Sequence, residues 1–213
     1  MLINEVMASR LPSKTMSRLW RLFFFAKGKY SSLVMREILQ EPSPVLHQKA
    51  EEVPVANILS DKIQTLIKDM KDALLEEHYG VAIAAPQIGE SIRIFIVSGR
   101  VFAARKAEEY DPKKHFPEVY INPNIVSTSK KQTEMQEGCL SVRGKWGKVM
   151  RAERTTIEAY DESGEKISRG ASGLLAQIFQ HEMDHLNGIL YIDKAIDVWD
   201  DTDEGNEEKN EKE

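Results

Sequence analysis

Cysteine is almost absent from this chain, since Cys139 is the only one among 213 residues. A single thiol excludes an intrachain disulfide, so the sequence predicts a protein of a reducing compartment that is stabilised by its packed core. Long apolar runs are absent too, and none approaches the ~20 residues that a membrane-spanning helix needs. We therefore expect a soluble protein in which Cys139 is a metal ligand, a nucleophile or a small buried filler.

Each end of the chain has few charges of one sign. Residues 1–36 hold seven basic side chains and one acidic one, whereas residues 197–213 hold nine acidic and two basic ones. We predict a poorly ordered basic extension over residues 1–34 and a disordered acidic tail over residues 197–213, because the tail has little apolar surface to bury. The extension is an organelle-targeting leader, a segment with a membrane-surface role, or a segment ahead of a true start at Met35. One domain remains, residues 35–196, and it carries no nucleic-acid signature.

The pattern of residues 35–196 indicates a mixture of helices and strands. Ser60 is typical of a helix N-cap, and the apolar residues after it recur at helical spacing up to a stop near Gly80. Three segments are typical of buried strands: Ile92–Val97, Val119–Asn122 (ended by Pro123) and Thr155–Tyr160. Because strands and helices do not alternate regularly, we predict an α+β fold.

The stretch from Gln180 to Gly188 reads Gln-His-Glu-Met-Asp-His-Leu-Asn-Gly. On a helix, His181 and His185 are about one turn apart, so both imidazoles leave the same face and can bind one metal ion. Glu182, next to the first imidazole, is placed to take a proton from water instead of ligating the ion. The alternative is a solvated helix with no ligand. The apolar residues around the motif, however, predict a buried helix that starts near Ser172.

A metal site built on two imidazoles needs a third protein ligand. The run Gly80–Gly89 is rich in small residues, so its backbone can approach a ligand closely, with Gln87 as an amide donor. A tight turn between a helix and a strand explains this run equally well. In Glu137–Val142, Gly138 comes just before Cys139. A lone cysteine is more often a buried hydrophobe, but beside a two-histidine motif without a third ligand the ligand interpretation is favoured.

Together, the three stretches resemble peptide deformylase. The family's signatures are Gly-x-Gly-x-Ala-Ala-x-Gln, Glu-Gly-Cys-x-Ser and Gln-His-Glu-x-Asp-His-Leu-x-Gly. The chain has them in this order across Gly80–Gly188, the first with one residue changed. The likeness extends more loosely from about Met35 to Asp193. It implies an α+β fold with antiparallel sheets packed around the helix that bears the two histidines. It also implies an enzyme that removes the formyl group from N-formyl-methionyl nascent peptides, with transient association with the ribosome.

Carried over by position, the resemblance makes Cys139, His181 and His185 the metal ligands. Glu182 becomes the general acid/base, and Gln87 and the backbone N–H of Leu140 become donors to the oxyanion. One divalent ion is expected, ferrous iron by resemblance, while Zn²⁺, Ni²⁺ and Co²⁺ also suit a thiolate with two imidazoles. The expected location is a bacterial cytoplasm, or an organelle if residues 1–34 are a leader.

Two residues depart from the family's pattern. Ala82 replaces the second glycine of the loop signature, which adds one methyl group and narrows the channel. Arg143 stands where many members have proline, which affects loop shape and peptide preference more than the chemistry.

Further candidates surround the motifs. The expected pocket for the methionine side chain consists of Val81, Ala82, Leu174 and Ile178. The last two precede His181 by seven and three residues on its helix, although ordinary core packing explains them equally well. Ligating groups also need partners that orient them. The candidates for that role are Glu137, Arg151, Gln180 and Asp184.

Two other functions stay open at this point. A zinc metallopeptidase needs either a histidine six residues after the second ligand, where this chain has Tyr191, or a downstream glutamate, for which Glu204 is the obvious candidate. A catalytically silent metal-binding protein would usually close its site with four protein ligands. Release of formate from a formyl-Met peptide separates the three functions.

Overall fold

The computed structural model describes residues 36–201, so the predictions for residues 1–34 and for the tail beyond residue 201 lie outside the described part of the chain. Three α-helices occur in it: α1 (Asp61–Glu76), α2 (Gly99–Arg105) and α3 (Leu174–Leu186). Its eight strands are β1 (Ala82–Ala84), β2 (Ile94–Val97), β3 (Glu118–Thr128), β4 (Gln132–Cys139), β5 (Val142–Ala152), β6 (Arg154–Tyr160), β7 (Lys166–Ser172) and β8 (Asp197–Asp200). None of the helices within residues 36–201 has the length and apolar character that crossing a membrane requires.

The strands form two sheets in which every paired neighbour is antiparallel. Five strands follow the order β1-β2-β3-β6-β7, and three follow the order β4-β5-β8. Helix α3 contacts strands of both sheets, and 11 of its 13 residues are buried. The predicted α+β fold, with antiparallel sheets around a central helix, is confirmed.

Helix α1 forms where the sequence predicts it, because Ser60 accepts a hydrogen bond from the N–H of Ile63 at its first turn. It ends at Glu76, before the predicted stop near Gly80. Its apolar face belongs to the same buried cluster as Ile94 and Ile96 of β2.

The other face of β2 packs toward α3. Phe95 and Val97 share a second buried cluster with Ile178 and Phe179 of that helix. Successive side chains of a strand point to opposite faces of the sheet, so β2 separates the two helices and contributes to both clusters.

Strand β3 is longer than predicted, since it continues through Pro123 to Thr128. Its register with β6 shifts between Ile121 and Asn124, and a proline is tolerated at such an irregularity. Asn122 has a positive φ of 50° there. Its side chain accepts a hydrogen bond from Val53 N–H at 2.8 Å and donates one to the Val53 carbonyl at 2.7 Å. The predicted stop at Pro123 was wrong because this long-range contact stabilises the irregular backbone.

The prediction of a disordered tail is wrong for its first four residues. Asp197–Asp200 form β8 along the edge of β5, with Trp199 opposite Trp146. The N–H of Asp201 donates to the carbonyl of Gly144 at 2.8 Å, which extends the pairing by one more contact. An open strand edge pairs through its main chain, so this segment needs little apolar surface of its own. Composition alone does not indicate that the edge of β5 is open to pairing with this segment.

Candidate active site

Three metal-ligating side chains meet where helix α3 contacts the end of strand β4. Cys139 is the last residue of β4, and His181 and His185 lie about one turn apart on α3. Their ligand atoms all lie within 4.8 Å of one another, and Cys139 Sγ is 3.2 Å from His185 Nε2. None of the three residues is more than 1% exposed. The structure therefore brings the three predicted ligands into one buried group.

Gly138 allows Cys139 to reach this position. The pairing of β4 with β5 is irregular between Glu137 and Cys139, and such an irregularity re-aims a strand end. A Cβ on Gly138 would lie 2.9 Å from the ring of Trp146. Only glycine lets the chain pass so close to the indole, so Trp146 and Gly138 together fix the approach of the thiol.

The donor set fits a divalent metal ion. The Nε2 atom of His181 is buried and makes no hydrogen bond of ordinary geometry within residues 36–201. Its Nδ1 lies 2.8 Å from Glu137 Oε2, and a carboxylate on the far nitrogen is the usual way in which a histidine ligand is oriented. A thiolate with two imidazoles suits several borderline metals and leaves a coordination position for water.

Cys139 and His181 shift each other's pKa. Burial by itself raises the pKa of the Cys139 thiol, but the nearby His185 and His181 rings outweigh it and lower that pKa well below its ordinary value. Burial lowers the pKa of His181, yet the nearby Cys139 thiol and Glu137 carboxylate outweigh burial and raise that pKa to about 9. The cluster thus favours a Cys139 thiolate, which is the form that binds metals, whereas His181 has to lose a proton before it can bind an ion.

A chain of charged groups runs from His181 to the surface. Glu137 makes a two-point ion pair with Arg151, whose Nε donates at 2.7 Å and whose Nη2 donates at 2.8 Å. Arg151 also donates to Asp184 at 2.6 Å, and Asp184 accepts from Lys194 at 2.5 Å. Burial raises the pKa of Glu137, but Arg151 and His181 outweigh it and hold that pKa far below its ordinary range. Three of the four predicted orienting residues therefore belong to one network that ends on a ligand histidine.

Gln180, the fourth, makes no side-chain hydrogen bond to a ligand residue within residues 36–201. Its Oε1 accepts from the N–H of Ala152 and its Nε2 donates to the Ala152 carbonyl, both at 2.9 Å. The prediction that Gln180 orients a ligand is therefore wrong, since its side-chain amide joins α3 to the end of β5. Gln177 reaches the network instead, with its Nε2 donating to the Gln136 carbonyl at 2.8 Å and lying 3.4 Å from Glu137 Oε1. Sequence reasoning missed Gln177, although its place four residues before the first ligand is a usable signal.

Tyr191 is a second residue that the sequence did not single out for this site. Its ring stacks on that of His181, with centroids 6.2 Å apart and planes 23° apart. Its hydroxyl donates to the carbonyl of Lys145 at 3.0 Å, so the phenol oxygen is engaged away from the ligands. Tyr191 therefore packs behind a ligand histidine at the position where one class of metallopeptidase has its third histidine.

The other predicted reaction residues lie around the same group. Gln87 is fully buried, and its Oε1 accepts from the N–H of Ala84 at 2.8 Å. This contact directs its Nε2 toward Ser141 Oγ at 3.1 Å and Cys139 Sγ at 3.6 Å. Glu182, on α3 between the two histidines, and Leu140, directly after Cys139, are also fully buried. The three ligands are thus accompanied by the Gln87 amide, the Glu182 carboxylate and the backbone of Leu140.

The four predicted pocket residues belong to one apolar cluster beside α3. Val81, Ala82 and Ile178 are at most 1% exposed, and Leu174 is partly buried against them. Strand β1 contacts α3 directly, which brings the small-residue loop to the ligand-bearing helix. The structure brings these four side chains together. Their contacts fit ordinary core packing and a substrate pocket equally well.

Arg143 forms an ion pair with Glu77, with 2.6 Å between Nη2 and Oε1. Val142, the preceding residue, pairs with Cys139, and Glu77 lies three residues before Gly80. Arg143, which stands where many family members have proline, therefore links the ligand-bearing hairpin to the segment that leads into the small-residue loop.

A buried helix with His-Glu-x-x-His that faces a cysteine defines a metallohydrolase type of centre. A sequence model of the polypeptide deformylase family matches residues 35–199. The peptide deformylase of Desulforudis audaxviator is 37% identical over 163 residues, which cover 76% of this chain and 95% of that protein. The crystal structure of a peptide deformylase from Legionella pneumophila is 38% identical with a TM-score of 0.65, and the match covers 75% of this chain and 85% of that one. The chain belongs to the peptide deformylase family.

A plant relative matches over a longer stretch. Peptide deformylase 1A, chloroplastic/mitochondrial, of Arabidopsis thaliana is 37% identical over 196 residues, which cover 87% of this chain and 72% of that protein. Family membership makes the chain an enzyme, and the family's dependence on metal agrees with the Cys139, His181 and His185 group.

Proposed function

We propose that this enzyme hydrolyses the formyl group from the N-terminal formyl-methionine of newly synthesised polypeptides and releases formate. The observation that carries the proposal is the buried group of Cys139, His181 and His185 beside Glu182, in a chain of this family. Its substrates are N-formyl-methionyl nascent peptides, which it meets through transient association with the ribosome.

Cys139, His181 and His185 would hold the metal ion. The chemistry that a divalent ion bound there would supply is polarisation of water and of the formyl carbonyl, which would give a nucleophile near neutral pH. We assign ferrous iron as the native ion, with Zn²⁺, Ni²⁺ or Co²⁺ as substitutes, because thiolate and imidazole ligands accept borderline metals. Metal analysis of anaerobically purified protein tests this assignment.

Glu182 carries the proton in this reaction. It lies on α3 beside His181 and is fully buried, in a position next to the ligand set and outside it. Its carboxylate accepts a proton from the attacking water and returns it to the amine nitrogen as the carbon–nitrogen bond breaks. The products are formate and a peptide with a free methionine amine.

Gln87 and the backbone N–H of Leu140 stabilise the negative charge that develops on the formyl oxygen. The Gln87 amide is already oriented by the hydrogen bond from Ala84, so it loses little freedom on binding. A positioned donor of this kind contributes roughly 3 kcal/mol to the transition state in comparable sites.

The methionine side chain would lie against Val81, Ala82, Leu174 and Ile178. These residues are apolar and share one cluster with the helix that carries the ligands. An apolar pocket discriminates by size, at about 1–3 kcal/mol per methylene. The formyl derivatives of norleucine and alanine peptides measure this preference, with the first expected to replace methionine well.

The location depends on residues 1–34, for which we keep the bacterial cytoplasm as the first proposal and an organelle as the second. Fusing residues 1–34 to a fluorescent protein and testing import into isolated mitochondria and chloroplasts separates the two. Import would support the organelle, and retention outside both would support the cytoplasm.

The decisive assay is formate release from formyl-Met-Ala-Ser by the metal-loaded protein. A deformylase releases formate and one new amine, whereas a zinc metallopeptidase cuts an internal bond and releases none. A silent metal-binding protein does neither. The Cys139→Ala variant, purified in parallel, controls for contaminating activity. Peptide fragments without formate would overturn the proposed function.

A further inference from the structure

A cavity of about 480 Å³ lies at one end of the five-stranded sheet, and none of its lining residues belongs to the metal centre. Its floor is made by the paired ends of β3, β6 and β7, where Thr155 lies between Thr128 and Ala171. Helix α2 contributes its last residue, Arg105. A volume of this size falls in the range of small-molecule sites, about 300–1,000 Å³.

The charge of the lining is entirely positive. Arg105 and Arg154 line the cavity, and the lining contains no acidic residue. Neither arginine forms an ion pair within residues 36–201. A nearby acid, Glu153, is already paired with Lys131 at 2.7 Å. Two guanidinium groups without carboxylate partners at one cavity favour an anionic ligand with two negative charges.

Hydroxyl groups dominate the rest of the lining. Six serine or threonine side chains contribute to it. Thr155 is 1% exposed, and its Oγ1 has no hydrogen-bond partner within the described part of the chain. Leaving a buried hydroxyl without a partner costs free energy, so Thr155 would gain from a ligand oxygen that reached it.

A third positive feature is the N-terminus of helix α3, which follows strand β7 in the chain. Ser172 lines the cavity, and the next residue, Gly173, is the N-cap of the 13-residue helix α3. Gly173 provides no side-chain cap, so no cap side chain accepts from the first N–H groups of α3. The positive end of the helix dipole and these donors both favour an anion.

We propose that this cavity binds a small phosphomonoester through Arg105 and Arg154. A phosphomonoester carries nearly two negative charges at neutral pH, which matches the two guanidinium groups, whereas a carboxylate carries one. Its three terminal oxygens accept from arginine forks and from hydroxyls. The volume leaves room beside the phosphate for an organic group, so the ester is preferred over the bare ion.

Isothermal titration calorimetry on the full-length, metal-loaded protein tests the proposal at low salt. Phenyl phosphate, inorganic phosphate and acetate serve as the probes. We expect one-to-one binding of phenyl phosphate, weaker binding of inorganic phosphate and at least about tenfold weaker binding of acetate. Equal affinity for acetate, or for the bare phosphate ion, would overturn the phosphomonoester assignment.

Variants assign the binding to this cavity. Arg105→Gln with Arg154→Gln should weaken phenyl phosphate binding by about tenfold or more, and Arg154→Lys should cause a smaller loss, because it keeps the charge without the fork. Lys62→Gln with Lys113→Gln makes the same change in net charge at two exposed lysines and should leave binding within about twofold. Metal content should stay at the wild-type level in every variant. No saturable binding by wild type, or an equal loss in the lysine pair, would contradict the proposal.

Discussion

The two elements that carry the metal ligands reach the site in different ways. His181 and His185 occupy one helix, so the local period of the chain sets their separation. Cys139 lies 46 residues before His185 and ends a strand, where the contact of Gly138 with Trp146 sets its position. The helical half of the site is a local property of the sequence, and the cysteine half depends on packing between distant segments. Substitutions that affect one half of the site and leave the other half unchanged test this comparison.

The largest effect is expected at the cysteine itself. Cys139→Ala should abolish metal retention almost completely, because two imidazoles alone hold a divalent ion poorly. Cys139→Ser should retain part of the metal, since a hydroxyl is a weaker ligand than a thiolate. Metal content after gel filtration measures both variants. Normal metal content in Cys139→Ala would show that the two histidines suffice.

Glu137→Gln tests the orientation of the helical ligand. The change removes the carboxylate that contacts both His181 and Arg151, so metal affinity should fall by about 10–100-fold. Removing one partner of a buried ion pair should also lower the free energy of unfolding by about 3–5 kcal/mol. Glu134→Gln, an exposed change on the same strand, is the matched control. Similar metal titrations and urea melts for both variants would contradict the proposed role of Glu137.

Trp146→Ala tests the cysteine half without touching a ligand. Removing the indole frees the backbone at Gly138, so metal affinity should fall by about threefold to tenfold, less than for Glu137→Gln. Trp146→Phe keeps a ring against Gly138 and should recover most of the affinity. Co²⁺ absorption reports on the thiolate separately, because its sulfur charge-transfer band depends on the cobalt–sulfur contact. An unchanged band in Trp146→Ala would remove Trp146 from the positioning of Cys139.

The smallest effect is expected at the C-terminus. Ending the chain after Asp201 keeps β8 and should leave the melting temperature unchanged, whereas ending it after Ile196 removes Trp199 from Trp146. The shorter chain should melt about 3–6 °C lower, since an edge strand contributes on the order of 1–2 kcal/mol in a domain of this size. Differential scanning calorimetry of the two truncations measures this. Equal melting temperatures would mean that β8 contributes nothing to stability.

The same comparison explains what the sequence could predict. The fold class, α1 and the motif helix followed from local periods and caps such as Ser60. Cys139 was placed by its motif, but the contact of Trp146 that fixes it was not, because nothing in the local pattern links position 146 to position 138. The course of β3 past Pro123 depends on Asn122 and the distant Val53, and β8 depends on the free edge of β5. These misses arose from contacts between segments far apart in the chain.

Glu182→Gln is the measurement that tests the central claim most directly. The amide is nearly isosteric and can still bond to water, but it cannot accept the proton. With metal occupancy matched to wild type, kcat for formate release from formyl-Met-Ala-Ser should fall by about 10²–10⁴-fold, while KM changes far less. A Glu182→Gln enzyme within a few-fold of wild-type kcat would contradict the account, because the proton would then travel through another group.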